Sequence, residues 1–267
     1  MSKFFTTEIS NPQFEFDYLR WITVKSNALQ RRADITLYVP PHLQTDLPLT
    51  ITILLHGVYG SHWAWALKAG VHKTASRLIE QGKIRPMVLV MPSDGLYGDG
   101  SGYLPHQSED YEKWIVEDLI AVVREQVKEV NEKSNLFITG LSMGGYGALR
   151  LGARYPTIFR SFSGLSSITE FSQMALFLTE KENVELSRKV LSKESVLECI
   201  LANRENLPYF RFDCGTEDIL LEFNRQLHKS LKENNIQHGY SEYPGAHEWD
   251  YWMAHIEDSL LFFNECY

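Results

Sequence analysis

Gly140-Leu141-Ser142-Met143-Gly144-Gly145 is the stretch on which the reading of this chain turns. The apolar run Leu136 to Thr139 leads into it. Gly144 to Tyr155 leaves it with helical composition and is stopped by Pro156. A Gly-x-Ser-x-Gly pattern between a buried strand and a helix has the context of a nucleophile elbow. The sharp turn holds the serine in a strained backbone conformation and lifts its hydroxyl above the sheet. Small neighbours let that turn approach the adjacent strand closely. With 17 glycines in 267 residues, the bare pattern arises by chance in roughly one chain in ten, so the strand–turn–helix context carries the argument.

Outward from this turn the pattern repeats. Leu49 to Leu55 and Met87 to Met91 are short apolar runs, as in strands buried on both faces. Phe14 to Lys25 and Arg32 to Val39 read as a strand pair joined at Ser26–Gln30 and ended by Pro40-Pro41. Phe159 to Ser163, Tyr209 to Cys214 and His238 to Tyr243 complete the strands. Trp63 to Gln81, Tyr111 to Asn131, Ile219 to Glu233 and Trp249 to Phe263 read as helices. Strands alternating with helices predict an α/β fold with a mostly parallel central sheet covered on both faces. Residues 167–206 lack strand signal and read as a small helical cap inserted into one α/β domain spanning 1–267. Residues 93–108, with four glycines, form a long loop of the kind that carries function.

In such sheets ligands sit beyond the carboxyl ends of the strands. A serine hydroxyl there needs a general base. Four histidines follow Ser142: His228, His238, His247 and His255. Only His247, in Tyr243-Pro244-Gly245-Ala246-His247, occupies a turn beyond a strand end. The acid belongs after the preceding strand, in Asp213-Cys214-Gly215-Thr216-Glu217-Asp218. Asp218 is favoured, although it also suits a helix cap, and Glu217 and Asp213 remain alternatives. The order serine, acid, histidine is that of α/β-hydrolases. The backbone amides of Met143, after the serine, and of Val58, in His56-Gly57-Val58, are the expected oxyanion donors. Trp65, Tyr103 and Trp249 are candidate walls of the substrate pocket.

Composition narrows the remaining classes. The chain carries 26 Lys+Arg against 34 Asp+Glu, a net charge of −8, with no basic cluster, which argues against nucleic-acid binding. Its 44% hydrophobic and 22% charged residues exclude disorder. Three cysteines, Cys199, Cys214 and Cys266, do not make a disulfide framework. No apolar run reaches the ~20 residues of a membrane span, and the first residues turn polar too soon for a signal peptide. A cytoplasmic enzyme without membrane contact is expected, with homo-oligomerisation left open. No dinucleotide, phosphate-loop or zinc pattern is present, so no cofactor or metal is expected. Asp94 and Asp99, in the glycine-rich loop, read as solvated carboxylates.

These residues give the chain its resemblance to the putative-esterase (esterase D-like) family of α/β-hydrolases. The segments that carry it are Leu54-Leu55-His56-Gly57, Ile115-Val116-Glu117-Asp118-Leu119, Gly140 to Leu149, Cys214-Gly215-Thr216-Glu217-Asp218 and Pro244-Gly245-Ala246-His247-Glu248-Trp249. It covers about residues 16 to 263. The resemblance implies a Ser142–His247–Asp218 triad with Val58 and Met143 as oxyanion donors. It also implies hydrolysis of a small-molecule ester, a short-chain acyl ester or an acylated sugar. S-formylglutathione hydrolases, in the same family, usually carry a Gly-Leu-Thr-Cys type stretch and His-Ser-Tyr-Tyr. This chain has Gly57-Val58-Tyr59-Gly60 and His247-Glu248-Trp249-Asp250 there, so it resembles the carboxylesterase and carbohydrate-esterase branch more. A thioesterase is the alternative enzyme, and an inactive binding module on a hydrolase fold is the alternative of another class.

Overall fold

The computed structural model describes residues 2–41, 47–95, 98–178 and 193–267. Nine strands form one sheet: β1 Thr7–Ile9, β2 Leu19–Lys25, β3 Arg32–Tyr38, β4 Thr50–Leu55, β5 Met87–Pro92, β6 Leu136–Gly140, β7 Ser161–Leu165, β8 Tyr209–Gly215 and β9 Gly239–Tyr243. Their order is β1-β2-β3-β5-β4-β6-β7-β8-β9. The pairings β1–β2, β2–β3 and β3–β5 are antiparallel. All pairings from β5 through β4, β6, β7 and β8 to β9 are parallel. The expected mostly parallel sheet is therefore present, extended at one side by an antiparallel strand pair and a short edge strand.

The central strands are buried throughout, and their side chains alternate between two cores. Ile51, Ile53 and Leu55 of β4 face one core, together with Val88 and Val90 of β5. Leu54, Met87, Leu89 and Met91 face the other. Period-2 alternation across a sheet covered on both faces produces this division. The first core is closed by α3 Tyr111–Lys113, a wider turn at Trp114–Leu119, α4 Ile120–Gln126, α5 Met143–Arg154, α6 Val196–Ala202 and α7 Leu221–Glu233. The second is closed by α1 Ala64–Leu67, α2 Val71–Glu80 and α8 Trp249–Glu265. Each large side chain fully buried there contributes on the order of 1.5–3 kcal/mol.

Several elements differ from their sequence reading. The helix expected over Trp63–Gln81 breaks at Gly70, whose φ of 59° ends α1 and starts α2. The helix expected to reach Asn131 stops at Gln126, after a π-helical turn at Trp114–Leu119. That turn carries Asp118, whose carboxylate accepts hydrogen bonds from Ser26 Oγ (2.7 Å) and the Asn27 and Ala28 amides. It thereby fixes the β2–β3 turn. The strand expected from Phe14 begins only at Leu19, because Asp17 and Tyr18, with φ of 50° and 61°, turn the chain just before it. The strand expected at Phe159–Ser163 runs from Ser161 to Leu165 instead. β1 was not expected, since three residues carry too short a pattern.

The segment expected as a helical cap contains 3₁₀ turns at Phe171–Leu176 and Arg204–Asn206 and the helix α6. Residues 179–192 of that expected cap, and residues 96–97 of the expected 93–108 loop, lie outside the described residues. Asp94 is 1% exposed and so is not a solvated carboxylate. Its Oδ2 accepts the Ser101 amide at 2.9 Å.

Candidate active site

Ser142 sits between β6 and α5 with φ 55° and ψ −118°. L-residues avoid that region, so the turn is strained and must be held from outside. The Ser142 amide donates to the Leu165 carbonyl at 3.0 Å, and the Ser142 carbonyl accepts the Tyr146 amide at 3.1 Å. The flanking glycines are there for close approach. A Cβ on Gly140 would lie 2.3 Å from the Gly144 carbonyl oxygen, and one on Gly144 would lie 2.3 Å from that of Leu55.

His247 and Asp218 come from the ends of the two outermost parallel strands. The Thr216 amide donates to the Tyr243 carbonyl (2.8 Å), and the Glu217 amide to that of Gly245 (2.9 Å). These bonds clamp the β8 loop to the β9 loop. His247 Nδ1 lies 2.9 and 3.1 Å from the two Asp218 oxygens, and its Nε2 lies 3.0 Å from Ser142 Oγ. An ionised carboxylate only accepts, so Nδ1 carries the hydrogen and Nε2 is left to accept from the serine hydroxyl. Asp218 also accepts the Leu220 amide at 2.8 Å, so it holds the start of α7 as well as the histidine. Its side chain is fully buried, whereas His247 keeps an exposed edge.

The two alternative acids stand elsewhere. Asp213 accepts from the Tyr251 hydroxyl at 2.9 Å and faces Arg211 at 3.2 Å. Burial pushes its carboxyl up to about 6, against the opposing pull of Arg211 and Tyr251. Glu217 is exposed. The other histidines are also accounted for. His228 and His238 bond to each other at 2.8 Å, and His255 bonds to Asp258 at 3.1 Å.

A cavity of about 290 Å³ opens at Ser142 and His247. Gly57, Val58 and Leu141 form its floor; Trp63, Phe177, Trp249 and Trp252 form most of its apolar wall; Tyr59 and Lys68 are polar members of the lining. Val58 lines this cavity with Ser142, Met143 follows the serine directly, and among the described residues neither amide has a backbone partner outside the regular elements. A larger groove of about 890 Å³, lined by residues such as Lys3, Arg124 and Glu132, lies near the amino end of β6 and contains none of these groups.

Of the three aromatic wall candidates, only Trp249 lines the cavity. Trp65 and Tyr103 are buried behind it. Trp65 Nε1 donates to the Leu55 carbonyl at 3.0 Å, and the Tyr103 hydroxyl donates to the His56 carbonyl at 3.0 Å. The sequence reading missed Trp63, Trp252 and Phe177. Trp252 was within reach, because it lies three residues after Trp249 on the same helix and so shares its face. Phe177 stands in a segment without periodicity and gave no signal.

A hydroxyl, an imidazole and a carboxylate linked in this order can generate an alkoxide nucleophile and return the proton to a leaving group. The chain is similar to several known proteins. An acetyl esterase of Caldicellulosiruptor saccharolyticus is 27% identical over 224 residues, covering 78% of this chain and 80% of that one. A ferulic acid esterase superposes with a TM-score of 0.79 at 20% identity, over 98% of this chain and all of that one. An S-formylglutathione hydrolase from Agrobacterium tumefaciens superposes with a TM-score of 0.75 at 20% identity, over 99% of each chain. The fold is therefore that of the α/β-hydrolases. Residues 26–263 match the family described as putative esterase, and the chain belongs to that family of carboxylic ester hydrolases.

Proposed function

We propose that the protein is a serine carboxylesterase that hydrolyses short-chain acyl esters, acylated sugars among them, through Ser142, His247 and Asp218. The observation that carries this reading is the bonded chain from Ser142 Oγ through His247 to the buried Asp218, built on a positive-φ serine. Ser142 Oγ attacks the ester carbonyl as His247 Nε2 takes its proton. The Val58 and Met143 amides receive the oxyanion. The C–O bond to the alcohol breaks, and His247 protonates the departing oxygen. Water, deprotonated by His247, then attacks the acyl-enzyme and releases the acid and free Ser142. Asp218 orients the ring and stabilises the imidazolium. Within one hydrolase domain, Phe177, from the described part of the expected cap, adds an aromatic ring to the wall.

Small cavity volume and apolar lining support a short acyl group, as does similarity to a protein named acetyl esterase. The aromatic walls at Trp63, Trp249 and Trp252 would suit the face of a sugar ring. The test is hydrolysis of p-nitrophenyl acetate, butyrate and octanoate by the native protein and Ser142→Ala, with S-formylglutathione alongside. Turnover of the short esters that disappears in the variant is the expected result. Turnover of the thioester alone would move the reading to the thioesterase branch, and equal rates in the variant would overturn the serine assignment.

A further inference from the structure

The loop between β4 and α1 begins with a histidine that the proposed reaction does not use. His56 is 2% exposed, and both of its ring nitrogens are engaged. The Asp94 amide donates to its Nε2 at 3.1 Å. A backbone amide can only donate, so Nε2 is the accepting nitrogen and Nδ1 carries the hydrogen. Nδ1 lies 2.8 Å from the Gly57 carbonyl oxygen and donates to it. The Gly60 amide reaches the same oxygen at 3.2 Å.

Peptide planarity then settles the direction of the next group. In a trans peptide the carbonyl of one residue and the amide hydrogen of the next point opposite ways, and the chain has no cis bonds among its described residues. Holding the Gly57 oxygen against the His56 ring therefore turns the Val58 N–H away from that ring. Val58 and Gly57 line the cavity with Ser142, and a Cβ on Gly57 would lie 3.3 Å from Ser142 Cβ. Two further side chains brace the start of the loop: Trp65 holds the Leu55 carbonyl and Tyr103 the His56 carbonyl. Gly60 leaves room for the ring, since a Cβ there would lie 2.7 Å from His56 Nδ1.

We propose that His56 is a positioning residue that aims the Val58 amide at the oxyanion formed on Ser142, with the Asp94 amide fixing its tautomer and Tyr103 its backbone. This rests on the serine esterase reading above. It concerns the transition state, because a ground-state carbonyl demands less of an amide donor than an oxyanion does.

The two nitrogens have different substitutes, which gives the test. Asn places an amide nitrogen near the Nδ1 position, whereas Gln places one near Nε2. Steady-state hydrolysis of p-nitrophenyl acetate is measured for His56→Asn, His56→Gln, His56→Leu and Tyr103→Phe, with thermal unfolding of each. His56→Gln and His56→Leu should lose about 100-fold in kcat with KM within about threefold, the signature of a lost oxyanion donor. His56→Asn should stay within about tenfold of the native kcat. Tyr103→Phe, which keeps the ring and its packing, should lose about fivefold in kcat with KM unchanged and carries the test if the His56 variants fail to fold. Equal kcat in the Asn and Gln variants, a loss confined to KM, or a native kcat in Tyr103→Phe would overturn the proposal. Activity surviving in Ser142→Ala would instead remove the reading on which it rests.

Discussion

Phe177 lies flat against His247, with ring centroids 4.6 Å apart and planes 26° from parallel. Trp252 meets the same imidazole edge-on at 5.0 Å. The histidine is thus held by Asp218 at one nitrogen and by two aromatic rings around its plane. Phe177 is in turn fastened across the cleft, because the Tyr59 hydroxyl donates to its carbonyl at 2.7 Å. Aromatic pairs of this kind are worth ~0.5–1.5 kcal/mol beyond their buried area. Phe177→Ala should lower kcat/KM on p-nitrophenyl butyrate about five- to tenfold, while lowering Tm by no more than about 3 °C. An unchanged kcat/KM would show that the stacking does not hold the base.

The acid assignment separates cleanly between two carboxylates. Asp218 reaches His247 and Asp213 does not. Asp218→Asn should leave the histidine in the wrong tautomer and cost about 10⁴ in kcat. Asp213→Asn should stay within about threefold of native turnover. Steady-state kinetics of the pair decide this, and a large loss in Asp213→Asn alone would reverse the assignment.

Asp213 gives the fold a pH dependence of unusual sign. Its folded pKa of about 6 lies above the unfolded carboxylate value. Between about pH 4 and pH 6 the folded state therefore holds more protons than the unfolded one, and stability falls as pH rises through that window. The two-unit difference corresponds to about 3 kcal/mol. Urea unfolding at pH 4.5 and 7.5 should show the native protein losing stability relative to Asp213→Asn as pH rises. Parallel behaviour of the two proteins would mean that the buried carboxyl titrates normally.

Arg150, fully buried on α5, joins three parts of the fold. Its guanidinium contacts Glu112 at 2.5 Å, Glu194 at 2.6 Å and the Tyr103 carbonyl at 2.6 Å. Burial raises the Glu112 carboxyl, but Arg150, Tyr155 and Arg154 together hold it below its ordinary value. Arg150→Met would strand two carboxylates beside Arg154 alone. The expected cost is about 3–5 kcal/mol, seen as a Tm drop on the order of 10 °C. Adding Glu112→Gln should recover part of it, since one stranded charge is then removed. A Tm within about 2 °C of native in Arg150→Met would mean that the network adds nothing.

The legible parts of this molecule are those whose constraints are local. The turn at Gly140–Gly145 is readable because its glycines answer to backbone distances within a few residues and to Leu55 behind them. His247 and Asp218 are readable because they occupy the ends of successive strands, so their order along the chain is also their order in space. The pocket wall was not. α1 has four residues, too few to set a phase, so Trp65 was read as wall although it faces the core while Trp63 lines the cavity. Tyr103 lies in an irregular loop, and its burial follows from tertiary contacts, among them the bond of its hydroxyl to the His56 carbonyl and of Arg150 to its own carbonyl. Phe177 reaches His247 from a segment without periodicity, whose placement depends on the Tyr59 contact across the cleft.

The central claim is that Ser142 is the nucleophile, and intact-protein mass spectrometry after exposure to a fluorophosphonate tests it most directly. The account predicts one adduct per chain, mapped to Ser142, forming in step with loss of p-nitrophenyl acetate hydrolysis and absent from Ser142→Ala. An adduct on another residue, or full hydrolysis remaining once Ser142 is modified, would contradict it.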